Sequence, residues 1–140
     1  MNQTVRDVMT HRPVCLPADA TVSKAARLMR DQAIGDVLVT KDDLLCGVVT
    51  DRDIVVRAVA EARDPESTPL GALCTNDLFT VRPDEDADEV VRLMREKAVR
   101  RVPVVEYDGR PVGIVSLGDM ALERDPSSAL SIISAAPPNG

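Results

Sequence analysis

Aromatic residues are almost missing from this chain: Phe79 and Tyr107 are the only two in 140 positions. Its core must therefore be assembled from Val, Leu, Ile, Ala and Met. The same scarcity argues against single-stranded nucleic-acid binding, which needs ring faces on which bases stack. Basic runs are missing too, and the net charge is −6. A duplex DNA binder replaces phosphate counterions with Lys and Arg, so nucleic acid is not expected as a partner. Small anions need only a few well-placed cations and stay open.

Histidine occurs once, as His11, and the three cysteines, Cys15, Cys46 and Cys74, contain no C-x-x-C pair. No metal site is expected from that set. Three buried, reduced thiols are the first expectation, with an intermolecular disulfide as the alternative. No apolar run is long enough to span a membrane, and "MNQTVRDVMT" lacks the apolar heart of a signal peptide. The expected location is cytoplasmic. Walker A, G-x-G-x-x-G and nucleophile-elbow signatures are absent, and nothing gives Asp51 and Asp53 the different environments an acid–base pair needs. An enzyme is not expected.

What the chain does have is a repetition. "ARLMRDQAIGDVLV" (26–39) lies over "VRLMREKAVRRVPV" (91–104) at an offset of 65. One inserted residue near Gly109 then brings "GVVTDRD" (47–53) over "GIVSLGD" (113–119). This is a tandem duplication of a unit longer than typical solenoid repeats. Val22, Ala25, Ala26, Met29 and Ala33 mark one face of a helix, and Ala87, Val90, Val91, Met94 and Ala98 repeat it. The acidic run "DEDADE" (84–89) complements the N-terminus of the second helix; as a calcium loop it fails, because Glu89 and Arg95 stand where glycine and glutamate belong.

Two β-branched runs follow each helix: Val37–Thr40 and Val48–Thr50, then Val102–Val105 and Val112–Ser116. Asp108–Gly109 predicts a hairpin turn between the second pair. Strands are also expected over Val14–Leu16 and Leu78–Val81. Ile54, Val55, Ala58 and Val59 predict a further helix with one apolar stripe, and Met120 and Ala121 open a shorter counterpart. The expected fold is α/β, two β-α-β-β-α repeats at 5–62 and 70–124. A linker fills 63–69, and a tail fills 125–140 with a loosely docked helix at 127–136. Units this small should pack on each other face to face.

In both copies the hydroxyl and the acid fall where a strand meets a helix. Thr50 with Asp53, and Ser116 with Asp119, have the spacing of a capping box. The same place suits a ligand. Free N–H groups favour phosphate, a hydroxyl can donate to it, and a carboxylate can accept both hydroxyls of a ribose.

Together with "VRDVMT", "ARLMRD" and "RVPVVEYDGRPVGIVS", the doubled phrase resembles a tandem pair of CBS domains, the units named after cystathionine β-synthase. The resemblance covers roughly residues 5–124. It implies two repeats about a pseudo-twofold axis, clefts that take adenosine compounds such as AMP, ADP, ATP or S-adenosylmethionine, and a disc-like homodimer. It implies that Asp53 and Asp119 hold ribose hydroxyls, with Thr50 and Ser116 near ribose and phosphate. Backbone at Ile34–Val37 and Val99–Pro103 would line the adenine pocket.

The copies differ where charge matters. Arg100 and Arg101 precede the second middle strand, where the resemblance implies phosphate-reaching bases; the first copy has Gly35 and Asp36. Arg52 lies in the first phrase, against Gly118 in the second, and Leu38 stands against Pro103. One good site is expected rather than two, because phosphate near Asp36 or Asp51 is repelled without a compensating cation. Two functions follow: a regulatory module that binds an adenosine nucleotide and signals through its dimer or a protein partner, or a ligand-free interaction module whose phrases only cap helices.

Overall fold

The computed structural model describes residues 3–75 and 78–118. In chain order its elements begin with helix α1 (Val5–Val8), strands β1 (Thr10–His11) and β2 (Cys15–Pro17), and helix α2 (Val22–Gln32). Strands β3 (Asp36–Lys41) and β4 (Leu44–Thr50) lead into helix α3 (Asp51–Asp53), which continues as a π-helical segment, Ile54–Val59. A 3-10 turn at Leu70–Ala72 precedes helix α4 (Ala87–Glu96) and strands β5 (Arg101–Val105) and β6 (Pro111–Ser116). The chain forms two compact units. One is Pro13–Leu78; the other joins the segment ending at Arg12 to the chain from Phe79 onward.

In the first unit β3 lies between β2, parallel to it, and β4, antiparallel to it. A single antiparallel bridge, Val48 to Thr75, extends the sheet beyond β4. Helix α2 covers the sheet because Thr21 caps it, accepting from the Lys24 N–H at 3.2 Å, and because Val22, Ala25 and Met29 share its buried face. Burying each Val or Met stabilises the unit by about 1.5–3 kcal/mol. The stretch expected as a linker closes the start of α2. The Val22 and Ser23 N–H groups, which lack partners within the helix, donate to the Thr68 and Pro65 carbonyls at 3.0 Å each.

The second unit repeats the plan with a different supplier. Helix α4, capped by Asp86, buries Ala87, Val90 and Met94. Here the Ala87 N–H donates to Gln3 at 2.9 Å, so the segment from Gln3 onward serves α4 as Thr68 serves α2. Strand β6 lies between β5 and β1, antiparallel to both. The Asp108–Gly109 turn forms as expected, with Gly109 at φ 92°.

Two sequence expectations are corrected. The strand expected over Leu78–Val81 is reduced to one parallel bridge, Val81 to Val104. The reason is proline. In the first unit Leu38 donates to Val14 and Ala18 donates to Thr40, each at 2.9 Å. Pro103 and Pro83 occupy those donor positions in the second copy, and proline has no N–H. Only the inner bonds survive: Val81 to Pro103 at 3.1 Å and Val105 to Val81 at 2.9 Å.

The stripe expected at Ile54, Val55, Ala58 and Val59 is not buried as a stripe. Ala58 is buried, but Val55 is 58% exposed and Val59 66% exposed. The Ala60 N–H reaches back five residues to Val55, and this wider turn breaks the 3.6-residue period on which the stripe was counted. The expected helices at Met120–Ala121 and 127–136, like the tail, lie outside the described residues.

Candidate functional site

In the Pro13–Leu78 unit β4 runs straight into α3, and Thr50 is the residue at the junction. Its extended backbone (φ −107°, ψ 166°) makes it an N-cap. Its Oγ1 accepts from the Asp53 N–H at 3.1 Å, while the Thr50 N–H donates to Asp53 Oδ2 at 2.8 Å. The capping box expected from the phrase is complete. Opposite it, Asp36 pairs with Thr50 across the sheet, and the Asp51 N–H donates to the Gly35 carbonyl at 2.9 Å. A side chain at position 35 would meet Asp51 Oδ2 at 3.2 Å, so the small residue lets strand and turn approach. Arg52 is exposed, its N–H held by Asp51 Oδ1 at 2.8 Å.

Ile34 enters the same place from α2. Its N–H donates to the Met29 carbonyl at 3.1 Å, a bond that reverses the chain at the helix end. Val37 turns its side chain into the core, where it is 1% exposed, and pairs with Val49. Thr50, Arg52 and Asp53 are thus gathered with Ile34 and Val37 at one end of this sheet.

The second unit gathers the equivalent group. Arg101 pairs with Ser116, the Leu117 N–H donates to the Arg100 carbonyl at 2.8 Å, and the Val99 N–H donates to Met94 at 3.0 Å. Arg100 and Arg101 are both exposed, so two guanidinium groups stand where the first unit has Gly35 and Asp36. Pro103 lies further along β5, buried, its carbonyl accepting from Val81. Asp119 lies outside the described residues.

Sequence reasoning missed Arg57. Its Nε lies 3.8 Å from Asp53 Oδ1, and its guanidinium also donates to the Leu73 carbonyl at 3.0 Å. An acid and a base four residues apart on a helix is the signal that pointed to it. Asp53 is therefore held from two sides, with Oδ2 on the Thr50 amide and Oδ1 facing Arg57. Each carboxylate oxygen has two lone pairs, so acceptor capacity is left on the side chain. The Thr50 hydroxyl, accepting from Asp53, keeps its proton to donate.

His11 is exposed, and so is Cys15, against the expectation of three buried thiols; Cys46 is half-buried and Cys74 buried. Among the described residues no group of three or more His, Cys, Asp or Glu is placed to hold a metal ion, and no helix is long and apolar enough to cross a membrane.

The CBS-domain profile matches residues 5–59 and again 70–124. The chain belongs to the CBS-domain family. As a CBS-domain pair it is 33% identical over 121 residues to the CBS domain-containing protein YhcV of Bacillus subtilis, covering 86% of this chain and 85% of that one. It is 37% identical over 119 residues to Hypoxic response protein 1 of Mycobacterium tuberculosis, covering 84% and 82%. The CBS domain pair of MJ0100, solved in complex with 5′-methylthioadenosine and S-adenosyl-L-methionine, matches with a TM-score of 0.79 at 23% identity, covering 91% and 100%. That likeness establishes the fold.

Proposed function

We propose that this CBS-domain pair is a regulatory module, not an enzyme, that binds an adenosine-containing nucleotide and signals through a homodimer or a protein partner. The supporting observation is the strand-to-helix turn of the first unit, where the capping bonds hold Asp53 in place and still leave it lone pairs for a ribose. Asp53 and Asp119 accept ribose hydroxyls in this reading. Thr50 and Ser116 donate near ribose and phosphate, while backbone at Ile34, Val37, Val99 and Pro103 lines the adenine. Arg100 and Arg101, both exposed, receive the phosphate, with Arg52 as a further cation. Asp36 and Asp51 repel phosphate at the first copy, so one site is filled well. AMP, ADP, ATP and S-adenosylmethionine are the ligands to try; the CBS domain pair of MJ0100, which has the same fold, was solved with 5′-methylthioadenosine and S-adenosyl-L-methionine.

The test is calorimetric titration of the intact chain with each of the four, paired with thermal melts. Ligand at a hundred times its dissociation constant adds about 2.7 kcal/mol of stability. A chain that stays folded and binds none of them does not support the sensor.

A second reading has its own observation. Val55, Val56 and Val59 expose an apolar face on the π-helical segment, at 58%, 44% and 66%. Under this reading the module is an assembly unit that uses this face, and its phrases only cap helices. Replacing Val55 and Val59 with Glu then shifts the sedimentation profile to a smaller species, with nucleotide irrelevant.

A further inference from the structure

Two of the three thiols are neighbours, and a β-bulge is the cause. Val39 opposes Gly47 while Thr40 opposes Leu45, which leaves Cys46 as the extra residue on β4. Cross-strand partners share a face, and Val39 is fully buried, so Gly47 faces the core. Cys46 packs against that same core cluster, to which Cys74 belongs.

Cys74 is delivered there by the residue after it. Thr75 and Val48 exchange two backbone hydrogen bonds of 3.1 and 3.3 Å. The Cys74 side chain fills the space over Gly47, where an added methyl would lie 2.6 Å from its Sγ and 2.8 Å from its Cβ. Burial first, and the Cys46 thiol beside it, raise the pKa of Cys74, whose thiol donates to the Gly71 carbonyl at 3.8 Å; neither cysteine is in a disulfide. In the second unit a sulfur again packs over the equivalent glycine, Met9 over Gly113, but Val112 stands where Cys46 does. The packing calls for one sulfur; the second is extra.

We propose that Cys46 and Cys74 form a reversible intramolecular disulfide, a modification site whose oxidant is a hydroperoxide. Cys46, the more exposed of the two, attacks as thiolate. An S–O bond forms, the O–O bond breaks, and the departing hydroxide takes a proton and leaves as water. Cys74 then attacks the sulfenic sulfur of Cys46, the S–S bond forms, and the S–O oxygen leaves with the Cys74 proton as a second water. The two thiols lose two electrons and the peroxide gains them. Burial raises the Cys74 pKa, which suits the resolving rather than the attacking role. A low-mass dithiol reverses the step by exchange.

The experiment uses the full chain carrying Cys15→Ser, which removes the exposed thiol. After treatment with equimolar hydrogen peroxide, both remaining thiols disappear together. The unreduced tryptic digest joins residues 42–52 to residues 64–92, and dithiothreitol separates them. The oxidised chain melts several degrees higher, because a loop of roughly 30 residues is closed in its unfolded state. In a second variant carrying Cys74→Ala as well, no intramolecular crosslink forms, and with two or more equivalents of peroxide Cys46 passes to sulfinic acid. The proposal is overturned if Cys46 oxidises alone in the Cys15→Ser chain while Cys74 stays open to alkylation after unfolding. It is equally overturned if the disulfide joins two chains.

Discussion

Ala33 and Ala98, 65 positions apart, hold the same left-handed backbone, with φ of 54° and 55°. Each sits just past its helix, and the residue after it donates back to a methionine carbonyl, Ile34 to Met29 and Val99 to Met94. Glycine is the residue that adopts this conformation without steric cost. Ala33→Gly and Ala98→Gly should each stabilise the chain by about 0.5–1 kcal/mol, and Ala33→Val should destabilise it. Urea midpoints at constant slope decide this.

The turn between β3 and β4 carries the same kind of strain twice. Asp42 and Asp43 have φ of 53° and 66°, with Lys41 and Leu44 paired on either side. Positive φ at both central residues is the type I′ hairpin, which favours Asn-Gly. Asp42→Asn with Asp43→Gly should stabilise by about 1 kcal/mol, seen as a raised melting temperature.

Glycine to alanine should do the reverse at two equivalent places. A methyl on Gly47 meets the Cys74 side chain and the Thr75 carbonyl at 3.0 Å; one on Gly113 meets Met9 and the Thr10 carbonyl at 2.8 Å. A methionine can move aside, but a carbonyl held in a sheet cannot. Gly47→Ala and Gly113→Ala should each cost about 1–3 kcal/mol. Gly71→Ala, whose methyl meets Ala18 at 3.4 Å, should be nearly neutral in the same denaturant series.

Capping and ligand binding separate at Asp53. Thr50→Ala and Asp53→Ala should each lose about 1 kcal/mol from the cap alone. Under the nucleotide reading Asp53→Ala also loses the ligand-dependent rise in melting temperature. Arg100→Ala with Arg101→Ala loses that rise without touching the first unit's cap. If all these variants keep the rise, the assigned site is wrong.

Much of this was legible in the sequence. Helical faces such as Val22, Ala25 and Met29 depend on periodicity alone, and Thr50 with Asp53 depends on spacing alone, so both could be read along the chain. The loss of the strand around Val81 was legible only in part. Its cause is written in Pro83 and Pro103, but reading it requires knowing which N–H groups the first copy uses. The exposure of Val55 and Val59 hid in a switch from 3.6-residue to π-helical winding. The meeting of Cys46 with Cys74 was hidden more deeply, since it follows from a bulge and a bridge that join distant positions. Arg57 was visible four residues after Asp53, but its second bond, to Leu73, belongs to the folded chain.

The segment at Gln3–Arg12 completes a sheet whose other strands begin about 90 residues later. During synthesis the Pro13–Leu78 unit is contiguous and can close as soon as it leaves the ribosome. Val5, Val8 and Met9, buried in the finished protein, must wait uncovered until β5 and β6 have been made. Made before its partners, this segment is among the last to find its place.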